Sequence, residues 1–318
     1  MDNLNVAIVG CGQIAGGYDE QMQDDEIRTH IKAYLNNKNT NVVAVCDHNE
    51  IQLNKFGKYW SIENQYTDYQ MMLQSESIDI LSVCTSLENR FDIIKYAADN
   101  GVKLVFCEKP IAETSMEAKE IVDYCKKNSV QIAVNYKRRW DIFHQDLKHK
   151  IESKSYGNVQ TFHCLYVRGI SNYGTHAIDL IRFFFGEIEW VNAHNHWNEE
   201  SRDPSLDAYI MTKSGIACNL ISLDRQYFDI FDYTLVFDNK KIEFQREGIE
   251  SIHYELVPNP DYDDNPIFKF QYVKTQMDKI MMQSVNQLSN CMRNKEEPVC
   301  TGFDAFIALR IAEAIIKS

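Results

Sequence analysis

The chain has 318 residues, a length that favours two domains over one. Hydrophobic residues make up 44% of the sequence and charged residues 25%, which is the balance of a globular protein and excludes a disordered one. The formal net charge is −13, and this argues against a nucleic-acid partner, since binding phosphates needs clustered positive charge. No apolar stretch approaches the roughly 18 residues that cross a bilayer, so no membrane partner is expected.

The nine cysteines are scattered and include no C-x-x-C pair. Several of them, among them Cys46, Cys84 and Cys107, lie in apolar runs, where a thiol behaves as a small hydrophobic group. The polar start of the chain, residues 1–5, does not resemble a signal peptide. We therefore expect reduced core cysteines in a cytoplasmic protein, with neither a disulfide framework nor a zinc site.

Up to residue 136, short apolar runs alternate with stretches of helical periodicity. The runs are Val6–Val9, Val42–Cys46, Ile78–Cys84, Leu104–Cys107 and Ile132–Val134. Apolar strands without internal alternation, each followed by a helix, are typical of a parallel sheet covered on both faces. The sequence thus predicts an α/β domain with a doubly wound parallel sheet over residues 1–136.

The rest of the chain, residues 137–318, has longer strands in which apolar and polar residues alternate. This pattern predicts an α+β domain with a large, mostly antiparallel open sheet, and Asp238-Asn239 is expected to form a hairpin turn. The expected helices are Asp141 to about Glu152, His176–Phe185, about Phe268–Arg293 and about Phe303–Ile316. Whether the last helix packs back on the first domain stays open.

A glycine-rich turn follows the first predicted strand directly. Its sequence, Gly10-Cys11-Gly12-Gln13-Ile14-Ala15, matches the G-x-G-x-x-A fingerprint of dinucleotide binding. The first glycine makes the tight turn, the second lets the backbone approach a pyrophosphate, and the small third residue lets helix and strand pack. The pyrophosphate is expected at the N-terminus of the following helix. The residues expected to bind it are Gly10, Gly12, Gln13 and Ile14.

Asp47 ends the second predicted strand, where a carboxylate can accept hydrogen bonds from the adenosine ribose and repel a 2′-phosphate. This position favours NAD over NADP as the cofactor. The spacing from the glycine turn exceeds the usual ~20 residues, and the excess coincides with the acidic stretch Gly16–Arg28. We interpret Gly16–Arg28 as an inserted, solvated surface loop near the cofactor cleft, with a lid as the alternative.

Two further motifs complete a resemblance to a known family. Glu108-Lys109-Pro110 follows the predicted strand Leu104–Cys107, and residues 172–179 match a D-x-G-x-H-x-x-D pattern except at the first position. Together with the glycine turn, these motifs resemble the glucose–fructose oxidoreductase/inositol dehydrogenase family, often called Gfo/Idh/MocA. The resemblance covers nearly the whole chain. It implies a Rossmann domain followed by an α/β domain with an open mixed sheet.

The resemblance also implies an activity and the residues that perform it. Members mostly move a hydride between nicotinamide and a hydroxyl-bearing carbon of a sugar, cyclitol or nucleotide-linked sugar. The family's catalytic and substrate-binding positions correspond to Lys109, Asn172 and His176, and its cofactor side includes Thr85, Glu108 and Lys109. A histidine can act as a base near neutral pH, and an ammonium group stabilises the negative charge that develops on an alkoxide.

Three positions depart from the family's pattern. Asn172 replaces the more usual Asp and cannot take a proton. Thr85-Ser86 stands where Thr-Pro is common, and Arg90 stands where a His is frequent. These departures concern the lining of the nicotinamide pocket and leave the expected reaction class unchanged.

Three weaker patterns concern the substrate, metals and assembly. Arg139, in the basic run Lys137–Trp140, is a candidate for bidentate binding of a phosphate or carboxylate on an anionic sugar, and a solvated cluster at a helix start is the alternative. His194-x-His196 lacks a third ligand at a recognisable spacing, so we predict no metal site. A large sheet face must be covered, which favours a homodimer or homotetramer.

The sequence therefore predicts an NAD(H)-dependent dehydrogenase that acts on a CH–OH group of a small-molecule sugar or nucleotide sugar. A reductase of keto-sugars or other carbonyl compounds with the same fold is one alternative. A non-catalytic NAD-binding sensor is the other, and the pair Lys109 and His176 argues against it. Reduction of bound cofactor with a panel of nucleotide sugars distinguishes the three.

Overall fold

The structure is a computed structural model of the chain and describes residues 3–22, 24–195, 197, 201–261 and 266–318. Its contacts divide the chain into two compact units. Unit 1 comprises Met1–Trp140 and Asp278–Ile307, and unit 2 comprises Asp141–Met277 and Ala308–Ser318. Within the described residues, no helix is both long and apolar enough to cross a membrane.

Helices and strands alternate in the first half of the chain, and strands dominate the second half. The helices are α1 (Tyr18–Met22), α2 (His30–Asn36), α3 (Glu50–Trp60), α4 (Tyr69–Ser75), α5 (Arg90–Asp99), α6 (Ser115–Lys127), α7 (Lys137–Trp140), α8 (Ile142–Glu152), α9 (Thr175–Phe185), α10 (Ile280–Asn294) and α11 (Gly302–Lys317). The strands are β1 (Leu4–Val9), β2 (Thr40–Cys46), β3 (Gln65–Tyr66), β4 (Ile80–Val83), β5 (Leu104–Cys107), β6 (Gln131–Val134), β7 (Val159–Tyr166), β8 (Ile188–His194), β9 (Asp207–Thr212), β10 (Ala217–Ser222), β11 (Phe231–Phe237), β12 (Lys240–Gln245), β13 (Glu250–Val257) and β14 (Ile267–Lys274). Short π-helical segments, Gln13–Gly17 and Gly169–Gly174, lead directly into α1 and α9.

The sheet of unit 1 has six parallel strands in the order β3-β2-β1-β4-β5-β6. The strands β4 and β5 are buried at every position, as expected for a sheet covered on both faces. The strand order reverses between β1 and β4, and the carboxyl ends of these two strands are where such sheets bind ligands. The predicted doubly wound parallel sheet is confirmed.

A late segment of the chain extends this sheet beside β6. The Val134 amide donates to the Cys300 carbonyl oxygen at 3.1 Å, and Ala133 forms a β-bridge with Thr301. Thr301 then caps α11, because its hydroxyl accepts from the Asp304 amide at 3.2 Å while the Asp304 carboxylate accepts from the Thr301 amide at 3.0 Å. Unit 1 is thus completed by residues distant in sequence.

The sheet of unit 2 has eight strands in the order β14-β13-β12-β11-β7-β10-β9-β8. Only the pair β7 and β10 is parallel among the described strands of this sheet. One face is buried and carries aromatic side chains such as Phe162, Tyr233 and Phe244, of which the last two stack with ring centroids 4.5 Å apart. The predicted large, mostly antiparallel sheet is confirmed, and so is its hairpin at Asp238-Asn239.

The helix predicted over Phe268–Arg293 is wrong in its first part. Residues Ile267–Lys274 form β14, which pairs antiparallel with β13, and the helix α10 begins only at Ile280. The alternation of Phe268, Phe270 and Tyr272 with polar or small partners has the two-residue period of a strand. Phe268 and Phe270 contact the Tyr254 ring on β13, with centroids 5.9 and 6.0 Å away, and this cross-strand contact favours a strand over a helix here.

Candidate active site

The glycine-rich turn joins β1 to the π-helical segment. Gly10 has a φ angle of +92°, and a Cβ atom built on it would lie 2.8 Å from the carbonyl carbon of Cys84 and 2.9 Å from the amide nitrogen of Thr85. A side chain is therefore excluded at Gly10 by the backbone itself. Gly12 differs, because a Cβ atom there would meet no atom within 4 Å among the described residues. The turn thus packs against the end of β4 and leaves the Gly12 backbone open.

A cavity of about 790 Å³ lies beside Gly12 at the carboxyl ends of β1, β2 and β4, entirely within unit 1. Its volume is within the range of ligand and cofactor sites. The lining residues that matter below are Gly10, Gly12, Asp47, Asp68, Thr85 and Asn89. The reversal of strand order at this edge of the sheet leaves the crevice uncovered by a connecting loop.

Asp47 follows β2 directly and lies in the wall of this cavity. Its Oδ2 accepts from the Cys11 amide at 2.8 Å, and its Oδ1 accepts from the Asn49 amide at 2.8 Å. The neighbouring His48 side chain is 97% exposed, and its Nδ1 lies 3.6 Å from Asp47 Oδ1. The carboxylate is thus held in place by backbone groups, with acceptor capacity left for ribose hydroxyls.

Three observations test whether NAD fits the cavity. The Thr85 hydroxyl is buried and has no hydrogen-bond partner among the described residues, so it can receive one from a bound ligand. The room beside Gly12 allows a pyrophosphate to approach the backbone, and Asp47 is placed for a ribose. The exposed Gln13 and half-buried Ile14 begin the helical segment at this point. The residues fit NAD.

Glu108 and Lys109 follow β5 at the same edge of the sheet. Glu108 Oε1 lies 2.9 Å from His30 Nε2 and accepts from Asn135 Nδ2 at 2.7 Å. Burial raises the pKa of the Glu108 carboxyl, but the hydrogen bonds from His30 and Asn135 and the positive charge of Lys109 outweigh burial, so the pKa lies below its ordinary value. Glu108 is therefore an anion whose carboxylate is engaged inside unit 1.

Asn172 and His176 lie in one continuous helical segment of unit 2, formed by Gly169–Gly174 and α9. Asn172 is exposed, and its backbone amide donates to Asp203 Oδ2 at 3.0 Å. His176 is buried, and its ring meets the Phe231 ring edge-on with centroids 6.0 Å apart. Because the two residues are four positions apart on one helix, their side chains share a face.

A second cavity, of about 640 Å³, lies within unit 2 beside the start of this segment. Its lining includes Arg168, Arg202, Arg225, Asp203 and Trp197. Arg168 forms a bidentate ion pair with Asp229, while Asp203 accepts from backbone amides of the π-helical segment. The combination of arginines with an indole ring can accommodate a hydroxylated or anionic ligand.

Arg139 lies in α7 and is buried in unit 1. Its Nη2 lies 3.2 Å from Asp304 Oδ1, and its Nη1 donates to the Val299 carbonyl oxygen at 3.4 Å. The guanidinium charge is thus compensated by a carboxylate of its own unit. The alternative interpretation of the basic run as a solvated cluster is wrong, because Arg138 and Trp140 are buried as well.

The interpretation of Gly16–Arg28 as a solvated loop is wrong for its first half. The segment is helical up to Met22, and Asp19 is only 2% exposed. The Asp19 carboxylate accepts from the Thr29 amide at 3.0 Å and from the Arg28 amide at 3.1 Å. Asp19 thus holds the residue that precedes α2, which explains why an acidic side chain is buried here.

The structure contains all nine cysteines as free thiols. Burial raises the pKa of the Cys107 thiol to about 11 and that of the Cys46 thiol to about 12, and the Asp47 charge adds to the increase at Cys46. Thiols with such pKa values stay protonated at neutral pH and are poor nucleophiles. The cysteines near the cavity are therefore core residues.

No group of three or more His, Cys, Asp or Glu side chains suited to a metal ion occurs in the part of the chain that the structure describes. His194 ends β8, and its predicted companion His196 lies outside the described residues.

Sequence reasoning missed two sets of residues around the first cavity. Asp68 and its neighbours line the cavity because β3, a strand of only two residues, pairs with β2 and ends beside it. So short a strand has no hydrophobic period to recognise, although Asp68 is visible as a helix cap. Asn89 also lines the cavity, with a φ angle of +63°, and the buried Arg90 follows it.

The fold and the cavity define a Rossmann domain of the dinucleotide-binding class. A sequence model described as "Oxidoreductase family, NAD-binding Rossmann fold" matches residues 4–136, and a second, "Oxidoreductase family, C-terminal alpha/beta domain", matches residues 170–318. The chain belongs to this family, Gfo/Idh/MocA, so the predicted resemblance and the predicted NAD cofactor are confirmed.

Relatives and solved structures extend the comparison over the whole chain. The D-apiose dehydrogenase of Paraburkholderia graminis is 24% identical over 98% of this chain and 86% of its own length. The myo-inositol 2-dehydrogenase of Thermotoga maritima is 22% identical over 99% of this chain and 96% of its own. The WlbA dehydrogenase from Bordetella pertussis, solved with NADH and UDP-GlcNAcA, is similar in fold with a TM-score of 0.77, 18% identity and coverage of 99% and 96%.

Proposed function

We propose that this protein oxidises a hydroxyl-bearing carbon of a sugar, cyclitol or nucleotide-linked sugar, with NAD as the hydride acceptor. The observation that carries the proposal lies in unit 1, where the cavity that fits NAD and the lysine of Glu108-Lys109-Pro110 occupy the same edge of one parallel sheet. A lysine at this edge has a use in hydroxyl oxidation, because an ammonium group stabilises the alkoxide that develops.

The cofactor is assigned to the glycine turn and the strand ends of unit 1. We assign the pyrophosphate to Gly10, Gly12, Gln13 and Ile14 and the adenosine ribose to Asp47. The buried Thr85 hydroxyl would then donate a hydrogen bond to the cofactor. Bound nicotinamide supplies the acceptor for the hydride, and the protein supplies orientation and the route for the proton.

His176 is assigned as the base that accepts the proton of the substrate hydroxyl. A neutral imidazole accepts a proton near pH 7, and Lys109 as an ammonium group lowers the cost of forming the alkoxide. Asn172 is assigned to hydrogen bonding with the substrate, since an amide both donates and accepts but does not take the proton. Arg139 is left out of this assignment, because Asp304 already compensates its charge.

The substrate class is supported by the relatives, whose names include dehydrogenases of apiose and inositol, and by the solved complex with UDP-GlcNAcA. The cavity of unit 2 also supports it, because arginines and an indole ring suit a hydroxylated ligand with an anionic group.

Turnover with a substrate panel tests the proposed function. The purified protein is mixed with NAD and, in turn, with neutral sugars, cyclitols, sugar acids and nucleotide sugars, and NADH is measured by its absorbance. We expect NADH formation with at least one class and its loss in His176→Ala. NADH binding without turnover on any CH–OH or carbonyl compound, in either direction, would support the sensor alternative and contradict the proposal.

A homodimer or homotetramer is proposed through the exposed face of the sheet in unit 2. That face carries large apolar side chains, including Trp190, Tyr209, Phe270 at 57% exposure and Tyr272 at 75% exposure. An apolar area of this kind favours self-association. Light scattering after gel filtration should give a multiple of the chain mass, and Phe270→Glu should lower it, whereas a monomeric wild-type protein would contradict the proposal.

A cytoplasmic location is proposed on the basis of the thiols. All nine cysteines are free, which suits a reducing compartment. Cell fractionation with compartment markers tests this, and recovery of the protein outside the cytoplasmic fraction would contradict it.

A further inference from the structure

Arg90 donates hydrogen bonds to three backbone carbonyl groups that belong to two different loops. Its Nη1 donates to the Glu108 carbonyl oxygen at 2.8 Å and to the Pro110 carbonyl oxygen, and its Nη2 donates to the Thr85 carbonyl oxygen. Arg90 is the first residue of α5 and is 3% exposed. The guanidinium group thus ties the loop after β4 to the backbone on both sides of Lys109.

A second set of contacts holds the side chain that precedes Lys109. His30 and Asn135 hold the Glu108 carboxylate, and the Ser82 hydroxyl lies 3.1 Å from His30 Nδ1. His30, Ser82 and Asn135 are buried. Glu108, the residue before Lys109, is therefore held both by its backbone and by its side chain. This restricts the position of the Lys109 backbone.

The contacts of Arg90 make use of the guanidinium group in particular. Its five N–H donors point in fixed directions in one plane, and it carries its charge at every accessible pH. An ammonium group is a single point of charge, and an imidazole has two donors at most, so neither replaces all of these contacts. A reacting group that shifts by about 1 Å can lose rate by about 100-fold, so such support is kinetically important.

We propose that Arg90 is a positioning residue, which holds the Glu108 and Pro110 carbonyl groups so that the Lys109 amine is presented at one place at the edge of the sheet. The inference rests on the function proposed above for Lys109. Arg90 acts through the backbone and does not contact the substrate.

A double-mutant cycle on turnover tests whether Arg90 acts through Lys109. Arg90→Met should lower kcat by about 10- to 100-fold, with the substrate KM and the NADH dissociation constant changing less than about threefold. Arg90→Lys should recover part of the loss. When Lys109 is already Met, Arg90→Met should lower the residual kcat by less than about twofold, because residues that act as a unit are not additive. Additive losses, or an unchanged kcat in Arg90→Met, would overturn the proposal.

A control variant separates positioning from the loss of any buried guanidinium group. Arg182 is also buried and pairs with Glu187 at 2.7 Å in unit 2. Arg182→Met should lower the melting temperature by an amount similar to Arg90→Met but leave kcat within about twofold. Equal losses of kcat in both variants would show a general effect of destabilisation and would contradict the proposal.

Chemical labelling of lysines tests the inference without any substrate. Acylation of Lys109 is followed by mass spectrometry over a pH series, with Lys103 at the other end of β5 as the internal reference. Loss of the hydrogen bonds to the Glu108 and Pro110 carbonyl groups in Arg90→Met should change the rate of Lys109 acylation across the pH series and leave that of Lys103 unchanged. An unchanged Lys109 profile would overturn the inference. A shifted profile in a protein without turnover would uphold it and would instead contradict the proposed function.

Discussion

Gly10 faces the backbone of Cys84 so closely that a Cβ atom at Gly10 would lie 2.8 Å from the Cys84 carbonyl carbon. The same turn contains Gly12, where a Cβ atom would meet no described atom within 4 Å. Gly10 is therefore required by the fold, whereas Gly12 is not, and we propose that the bound cofactor requires it.

This contrast predicts opposite effects of two alanine substitutions. Gly10→Ala should lower the melting temperature by about 5 °C or more, because both the positive φ angle and the backbone contact oppose a side chain. Gly12→Ala should leave the melting temperature of the ligand-free protein unchanged but weaken NADH binding by about tenfold or more. Thermal unfolding and titration calorimetry measure the two effects, and equal stability losses in both variants would contradict the contrast.

Asp47 should determine the preference for NAD(H) over NADP(H). Asp47→Asn keeps an oxygen to accept from the Cys11 amide but removes the charge to which we assign the repulsion of a 2′-phosphate. We expect the preference, measured as a ratio of dissociation constants, to fall by about tenfold. Glu50→Gln, which removes one exposed charge at the start of α3, is the control and should not change the ratio. Tighter binding of NADP(H) by the wild-type protein would refute this role.

Lys109→Met should lower kcat by about 100-fold or more and leave NADH affinity within a few-fold, as expected for loss of one electrostatic group. Lys103→Met is the matched control, because Lys103 precedes the same strand β5 and its amine pairs with Asp79 at 2.6 Å. Steady-state kinetics should show near wild-type turnover for the control. Loss of NADH binding in Lys109→Met would indicate a structural role for Lys109.

Asn172→Asp should change the pH dependence of oxidation. A carboxylate one helical turn before His176 stabilises the imidazolium form, so a higher pH is needed to obtain the neutral base. We expect the acidic limb of the kcat/KM profile to move upward by about one pH unit or less. Asn172→Ser adds no charge and should not move the limb. An acidic limb that stays in place in Asn172→Asp would show that another group accepts the proton.

His253 should make the protein less stable at acidic pH. Burial, followed by repulsion from Lys240 and Lys150, lowers the pKa of His253 to about 4 despite the opposing Glu255. Between pH 6.5 and 4 the unfolded chain therefore binds a proton that the folded chain does not, so stability falls as the pH falls. The loss reaches about 3 kcal/mol at pH 4.

Replacement of His253 tests this origin of acid sensitivity. His253→Gln should flatten the dependence of unfolding free energy on pH between 6.5 and 4, measured in urea at a series of pH values. His149→Gln is the control, since the His149 side chain is 78% exposed. Equal slopes in the wild-type protein and in His253→Gln would rule out His253 as the cause.

Features that depend on residues near one another in the chain are predictable from the sequence. The G-x-G-x-x-A turn predicts Gly10 and Gly12 at a cavity, because tight turns and close backbone approach have local sequence requirements. The apolar runs predict β1, β2, β4, β5 and β6, because burial on both faces removes polar residues from a strand. Asp47 was recognised in the same way, since its place depends only on where β2 ends.

Contacts between residues distant in sequence become evident only in the folded chain. Cys300 pairs with β6, Asp19 is buried against Thr29, and Arg90 donates to the Glu108 carbonyl oxygen. Each contact joins two segments whose own sequence patterns do not identify the partner. A buried polar group must find a hydrogen-bond partner somewhere in the fold, but which residue becomes that partner depends on how strands and helices pack. In the sequence, Arg90 is only an unusual residue at the start of a predicted helix. Its proposed role follows from the three carbonyl groups that chain packing brings to its guanidinium group.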